Sequence, residues 1–125
     1  MIYLASPYSD PDPEVKEARF EAVCREAAIL MQRGILVFSP IAHSHPITKH
    51  GTPSDWHYWK EFDRHIIGGC RGLWVLTLDG WRESVGVRAE IGLAIEFDKP
   101  TRLIDSGDGE PYPIPGLEDA VLSDE

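Results

Sequence analysis

Glu90 interrupts the apolar stretch VGVRAEIGLAIEF, residues 85–97. A carboxylate enclosed among apolar side chains is a group that can attack carbon or stabilise a cationic, sugar-like transition state. About one turn inside a helix, the positive end of the helix dipole favours its ionised form. A lone Glu in a helix is more commonly an exposed surface residue, so other residues must decide between the two readings. The HSH segment offers the imidazoles of His43 and His45, which fit ligand contact or plain loop polarity. Two imidazoles could also begin a metal-assisted hydrolytic site, but no HExxH or Cys–His spacing accompanies them, and no metal or cofactor is expected.

These residues need elements to position them. MIYLAS (1–6) is a short apolar run ended by SPYSDPDP and reads as a buried strand. From Glu14 to Arg33 the apolar positions recur at helical spacing, with Asp12 and Pro13 before them and Gly34 after. GILVFSP (34–40) reads as a second buried strand, and residues 41–55, rich in His, Pro and Thr, as an irregular loop. Ser54 or Asp55 caps a helix through WHYWKEFDRHIIGGC that fails at Gly68-Gly69. LWVLTL (73–78) and TRLID (101–105) are further strands.

Residues 86–97 fit both an alternating and a helical pattern. The alternation of strands with helices decides for helix, because parallel strands need crossover connections. The predicted fold is α/β: a doubly wound, Rossmann-like or flavodoxin-like open sheet, mostly parallel, with four to five strands and flanking helices. The 125 residues suit one domain, and the Pro-, Gly- and acid-rich segment 106–125 forms an edge strand, a tail or a disordered end.

Such a sheet binds ligands outside the carboxyl ends of its strands. That rule gathers Ser6, Pro7 and Tyr8, then Ser39 to His45, then Asp79 to Ser84, with Glu90 nearby. Trp56 and Trp81 sit at element ends and could line a pocket, whereas Trp59, Phe62 and Ile66 share a helical face and fit a core. Asp79 follows a strand directly, although Asp-Gly is also an ordinary turn.

The net charge of −9 argues against nucleic acid or an anionic membrane as main partner, and no run of about 18 apolar residues exists to cross a bilayer. The N-terminus has no secretory pattern, and Cys24 and Cys70 show no disulfide or metal spacing, so a cytoplasmic protein with two reduced thiols is expected.

IYLASPY at the start, EFDRHI before the third strand and SVGVRAEIGLA after it, in that order, resemble the nucleoside 2-deoxyribosyltransferase superfamily over about residues 1 to 105. This superfamily includes deoxynucleoside 5′-monophosphate N-glycosidases, and the likeness is nearest to a small bacterial branch of unsettled function. The resemblance implies that Glu90 attacks the anomeric carbon, that Ser84, six positions earlier, contacts the 5′ end of the sugar, that Asp63 binds near sugar and base and takes part in catalysis, and that the hydroxyl of Tyr3 helps place the nucleophile. It implies a nucleoside-like small-molecule substrate, base or sugar contact by the histidine segment, and a homo-oligomer, dimer or tetramer. Monophosphate-cleaving members carry a Gly- and Arg-bearing loop after the first strand, where this chain has SPYSDPDP, so a strongly anionic substrate is not favoured. A non-catalytic sensor of nucleotide-like ligands is the alternative the missing loop leaves open.

Overall fold

A computed structural model describes residues 1–107 and 109–116. The elements run β1 (Ile2–Ala5), α1 (Pro13–Gln32), β2 (Val37–Phe38), α2 (Pro40–Thr48), α3 (Trp56–Gly68), β3 (Gly72–Leu76), α4 (Val85–Glu96), β4 (Thr101–Ile104) and β5 (Tyr112–Pro113). The sheet order is β2-β1-β3-β4-β5. The first four strands are parallel, and β5 joins β4 antiparallel. This is the α/β, mostly parallel, doubly wound open sheet expected from the sequence.

Strand order dictates where the helices go. From β1 the chain moves to β2 on one side and later reaches β3 and β4 on the other, and right-handed crossovers then place helices on opposite faces. The side-chain alternation of the strands follows. Tyr3, Ala5, Leu73, Val75 and Leu103 meet Ile67 of α3 and Val87, Leu93 and Ala94 of α4. Leu4, Val37, Leu76 and Ile104 meet Val23, Ala27 and Leu30 of α1. All four residues of β1 are buried because both of its faces are covered.

Two expectations are corrected and a third is narrowed. The segment 41–55 is not all irregular loop: Ser39 accepts a hydrogen bond from the Ala42 amide at 3.0 Å, Pro40 opens the helix where its missing N–H costs nothing, and α2 continues to Thr48 despite Pro46. The second strand is far shorter than 34–40, since only Val37 and Phe38 lie in it and Ser39 already caps α2. Of the C-terminal alternatives, the described residues show an edge strand, β5, where Pro113 is tolerated because an edge leaves one side unpaired. The rest of that segment, residues 108 and 117–125, lies outside the described residues.

The remaining helices start with local caps. Asp12 accepts from the Glu14 amide, Asp55 from the His57 amide and Ser84 from the Val87 amide. Beyond the core, Glu26 of α1 is 2% exposed and accepts the Gly107 amide at 2.8 Å. Arg33 holds Glu110 at 2.6 Å and the Gly109 carbonyl at 3.1 Å. The segment after β4 is thereby fastened to α1.

The order β2-β1-β3 creates a switch point between β1 and β3, where connections leave in opposite directions and a crevice opens. Arg19 of α1 bridges the two loops there, donating to the Ser9 carbonyl at 3.0 Å and the Asp79 carbonyl at 3.2 Å. Gly80 makes this possible. Its φ is +92°, and a Cβ there would stand 2.8 Å from Arg19 Nη2. Gly80→Ala should therefore cost about 1–2 kcal/mol through its backbone conformation and also displace the guanidinium. Urea unfolding should show Arg19→Ala and Gly80→Ala to be less than additive when combined; strict additivity would show that Arg19 does not strap these loops.

Candidate active site

Tyr3 lies on the face of β1 that α3 and α4 cover, and the helical spacing brings one acid to it from each. In α4 the buried residues Val87, Glu90, Leu93 and Ala94 form one stripe, so Glu90 points at the sheet. In α3, Asp63 precedes Ile66 and Ile67 by three and four residues and shares their inward face. Tyr3 Oη is hydrogen-bonded to Glu90 Oε2 and lies 3.0 Å from Asp63 Oδ1. Tyr3 is fully buried, Glu90 is 7% exposed, and Asp63 is half-buried.

A phenol has one proton, and two carboxyl groups meet it. Were both ionised, only one could accept that proton, and the other would face an oxygen lone pair at contact distance. One further proton removes the conflict, because a carboxylic acid can donate to Tyr3 Oη while Tyr3 donates to the remaining carboxylate. The acidities point the same way. Burial, then the charge of Asp63, pushes Glu90 up to about 8, against an opposing hydrogen bond from Tyr3. Burial pushes Asp63 up to about 6, again opposed by Tyr3. Burial and then the two carboxylates hold the Tyr3 phenol well above its ordinary value.

The expectation that the helix dipole keeps Glu90 ionised is therefore corrected. Ser84 is the cap, so Glu90 stands beyond the first turn, where the dipole has faded, and burial outweighs it.

An aromatic wall leads outward from the cluster. Phe38 lies 6.2 Å from Tyr3 and 5.9 Å from His43, measured between ring centres, and His43 stacks on Phe62 of α3 at 5.8 Å. Phe62 continues to Tyr58 and Trp59. Of the residues assigned to a core by their spacing, Ile66 packs against the buried cluster, while Phe62 and Trp59 belong to this wall, and Trp59 also donates to the Pro53 carbonyl at 2.7 Å. A planar ring would find stacking partners along it.

The other sequence candidates are more dispersed. Ser6 is 4% exposed at the end of β1, and its hydroxyl has no hydrogen-bond partner among the described residues. Ser84 is half-buried and engaged as the α4 cap. Asp79 is exposed and offers its carbonyl to Arg19. Trp81 packs on the core beneath β1 and β3, with the Arg82 guanidinium 5.2 Å from its ring centre. Tyr8 is partly exposed and bonds to His45, which turns away from His43 towards α1. The HSH imidazoles thus diverge, and among the described residues no three His, Cys, Asp or Glu side chains gather in a way that would hold a metal.

Trp56 does line a depression of about 240 Å³, with Lys60, Ala89, Gly92, Leu93 and Glu96. It lies between α3 and α4 and includes none of Tyr3, Asp63 or Glu90. Sequence reasoning missed Phe38, hidden in an apolar run, and Glu17 and Arg19, which look like ordinary exposed positions of a long helix.

No helix among the described residues is long and apolar enough to cross a membrane. A family model described as a domain of unknown function (DUF1937) matches residues 1–105, and the chain belongs to that family. No curated protein matches the chain.

The raised pKa of Glu90 has a consequence for stability. The folded chain holds this proton more tightly than the unfolded chain, so stability contributed by the group is complete below the ordinary carboxylate range and is lost as pH rises towards about 8. The slope is at most one proton, about 1.4 kcal/mol per pH unit. Glu90→Gln keeps an acceptor for Tyr3 without the charge. Urea titrations should show the variant gaining on the wild type between about pH 5 and about pH 8; a constant difference across that range would contradict a protonated buried Glu90.

Proposed function

We propose that this protein cleaves or transfers at the N-glycosidic bond of a nucleoside, nucleotide or related ribosyl compound, with Glu90 as nucleophile. The observation that carries this reading is the Glu90–Tyr3–Asp63 array, two carboxyl groups joined through one phenol, beside an aromatic wall suited to a planar base.

The array supplies both groups that the chemistry needs. In the resting array the extra proton favours Glu90, the more deeply buried acid, which cannot attack in that form. If Glu90 passes its proton to Tyr3 Oη while Tyr3 passes its own to Asp63, Glu90 becomes an anion and Asp63 an acid in one move. Ionised Glu90 then attacks C1′ through an oxocarbenium-like transition state and forms a glycosyl ester, while Asp63 returns its proton to the departing base. Water or a second base resolves the ester, giving hydrolysis or transfer. The buried setting strengthens the attraction between Glu90 and a developing sugar cation, because few waters compete.

A second reading, a sensor that binds such ligands without turnover, is favoured by the resting protonation of Glu90. One experiment separates the two. The protein is incubated with nucleosides, deoxynucleosides and their monophosphates, and free base is measured by chromatography. Wild type should release base from at least one compound, Glu90→Gln should fall by roughly a thousandfold or more, and Asp63→Asn by about 10²–10⁴. Equal release by wild type and Glu90→Gln would overturn the assignment. Ligand-dependent stabilisation without product, in both proteins, would identify the sensor.

A further inference from the structure

Glu17 of α1, His45 of α2 and Tyr8 of the loop leaving β1 form an unbroken carboxylate–imidazole–phenol chain outside the Glu90 cluster. Glu17 Oε2 lies 2.7 Å from His45 Nε2, and His45 Nδ1 lies 2.7 Å from Tyr8 Oη. The imidazole stacks on Phe20 at 4.4 Å, takes the Tyr8 ring edge-on at 5.5 Å, and is 18% exposed. Turning the ring over would set carbon against both partners and lose both bonds, so its orientation is determined.

Counting protons fixes the polarity of this chain. An ionised carboxylate only accepts, so a neutral His45 must carry its proton on Nε2 and present the Nδ1 lone pair to Tyr8. Tyr8 must then direct its single O–H at His45. What the phenol has left for a ligand is a lone pair. Protonating the imidazole reverses this, because Nδ1–H then donates to Tyr8 Oη and frees the Tyr8 O–H to point outward. Burial raises the Tyr8 pKa, so the phenol keeps its proton and only its direction changes. The groups facing this chain are Glu17 and Lys16 from α1, with Lys16 Nζ 5.9 Å from the Tyr8 ring centre, and the Thr48 hydroxyl from α2.

Tyr8 is partly exposed and stands just past β1, at the switch point where a ligand of this fold binds. We propose that Tyr8, with its polarity set by Glu17 through His45, selects the base of the substrate: it accepts an N–H and so favours bases with an exocyclic amino group over those with a carbonyl at that edge. This rests on the N-glycosidic reading above. A carbonyl there would meet a lone pair with a lone pair, and a site built around one hydrogen-bond polarity discriminates by at least about tenfold.

The test compares kcat/KM for a cytosine and a uracil deoxynucleoside, with His45 followed by the ¹⁵N shifts of its ring. With the ring neutral, the proton should be found on Nε2 and the cytosine-to-uracil ratio should be at least about ten. Tyr8→Phe should bring the ratio near one by lowering the cytosine rate more than the uracil rate, and acidification that protonates His45 should lower the wild-type ratio. The titrations of Glu90 and Asp63 cancel in this ratio, and mere loss of structure would lower both rates together. A neutral ring protonated on Nδ1, a carbonyl preference, or a ratio that Tyr8→Phe leaves unchanged would each overturn the selection while the N-glycosidic reading stands. Absence of base release from every compound by wild type would overturn that reading, and the selection with it.

Discussion

One phenolic hydroxyl held between two carboxyl groups is the constraint on which the site depends. Tyr3 cannot satisfy both Glu90 and Asp63 with a single proton, and Glu90 is buried away from water while Asp63 is only half open to it. Burial lifts both acids above the ordinary carboxylate range, so the array holds an additional proton more readily than free carboxylates would. That constraint turns three ordinary side chains into a unit in which ionising one acid means protonating the other.

The fold serves that constraint. Tyr3 belongs to an interior strand, flanked by β2 and β3, and its side chain faces the layer of α3 and α4. Each helix contributes one acid from its buried stripe. On the opposite face α1 has no part in the array, but it controls the rim: Arg19 ties the loops after β1 and β3, and Glu17 orients His45. The two sides meet through α2, whose His43 stacks on the α3 wall and whose His45, two residues on, packs on α1. A ligand in the crevice would thus meet acids and aromatic rings on one side and a polar, orientable phenol on the other.

Much of the fold was legible in the sequence because short apolar runs alternated with helical spacing and turn residues marked the joints. The ambiguous 86–97 segment was resolved by that alternation, and α4 spans Val85–Glu96. What was not legible depended on tertiary contact. Pro46 and the histidines made α2 look like loop, although Ser39 and Pro40 carried a cap signal. Glu90 stood out because it broke an apolar stripe, and the same stripe places it against the sheet. Its protonation could not be read this way, since burial and the nearness of Asp63 are properties of packing. Tyr3, inside an apolar run, carried no chemical signal of its own and was reached only through resemblance. Glu17 gave none, because its role exists only where His45 meets it.

The most direct measurement is the mass of the intact protein after exposure to a nucleoside whose sugar carries fluorine at C2′. The fluorine disfavours the cationic transition states and slows breakdown of a glycosyl ester, so an intermediate on Glu90 should accumulate. The expected result is a mass gain equal to one fluorinated sugar, located on the peptide that contains Glu90, absent from Glu90→Gln and reversed when an acceptor base is added. Release of base with no adduct, or an adduct on another residue, would contradict Glu90 as the nucleophile.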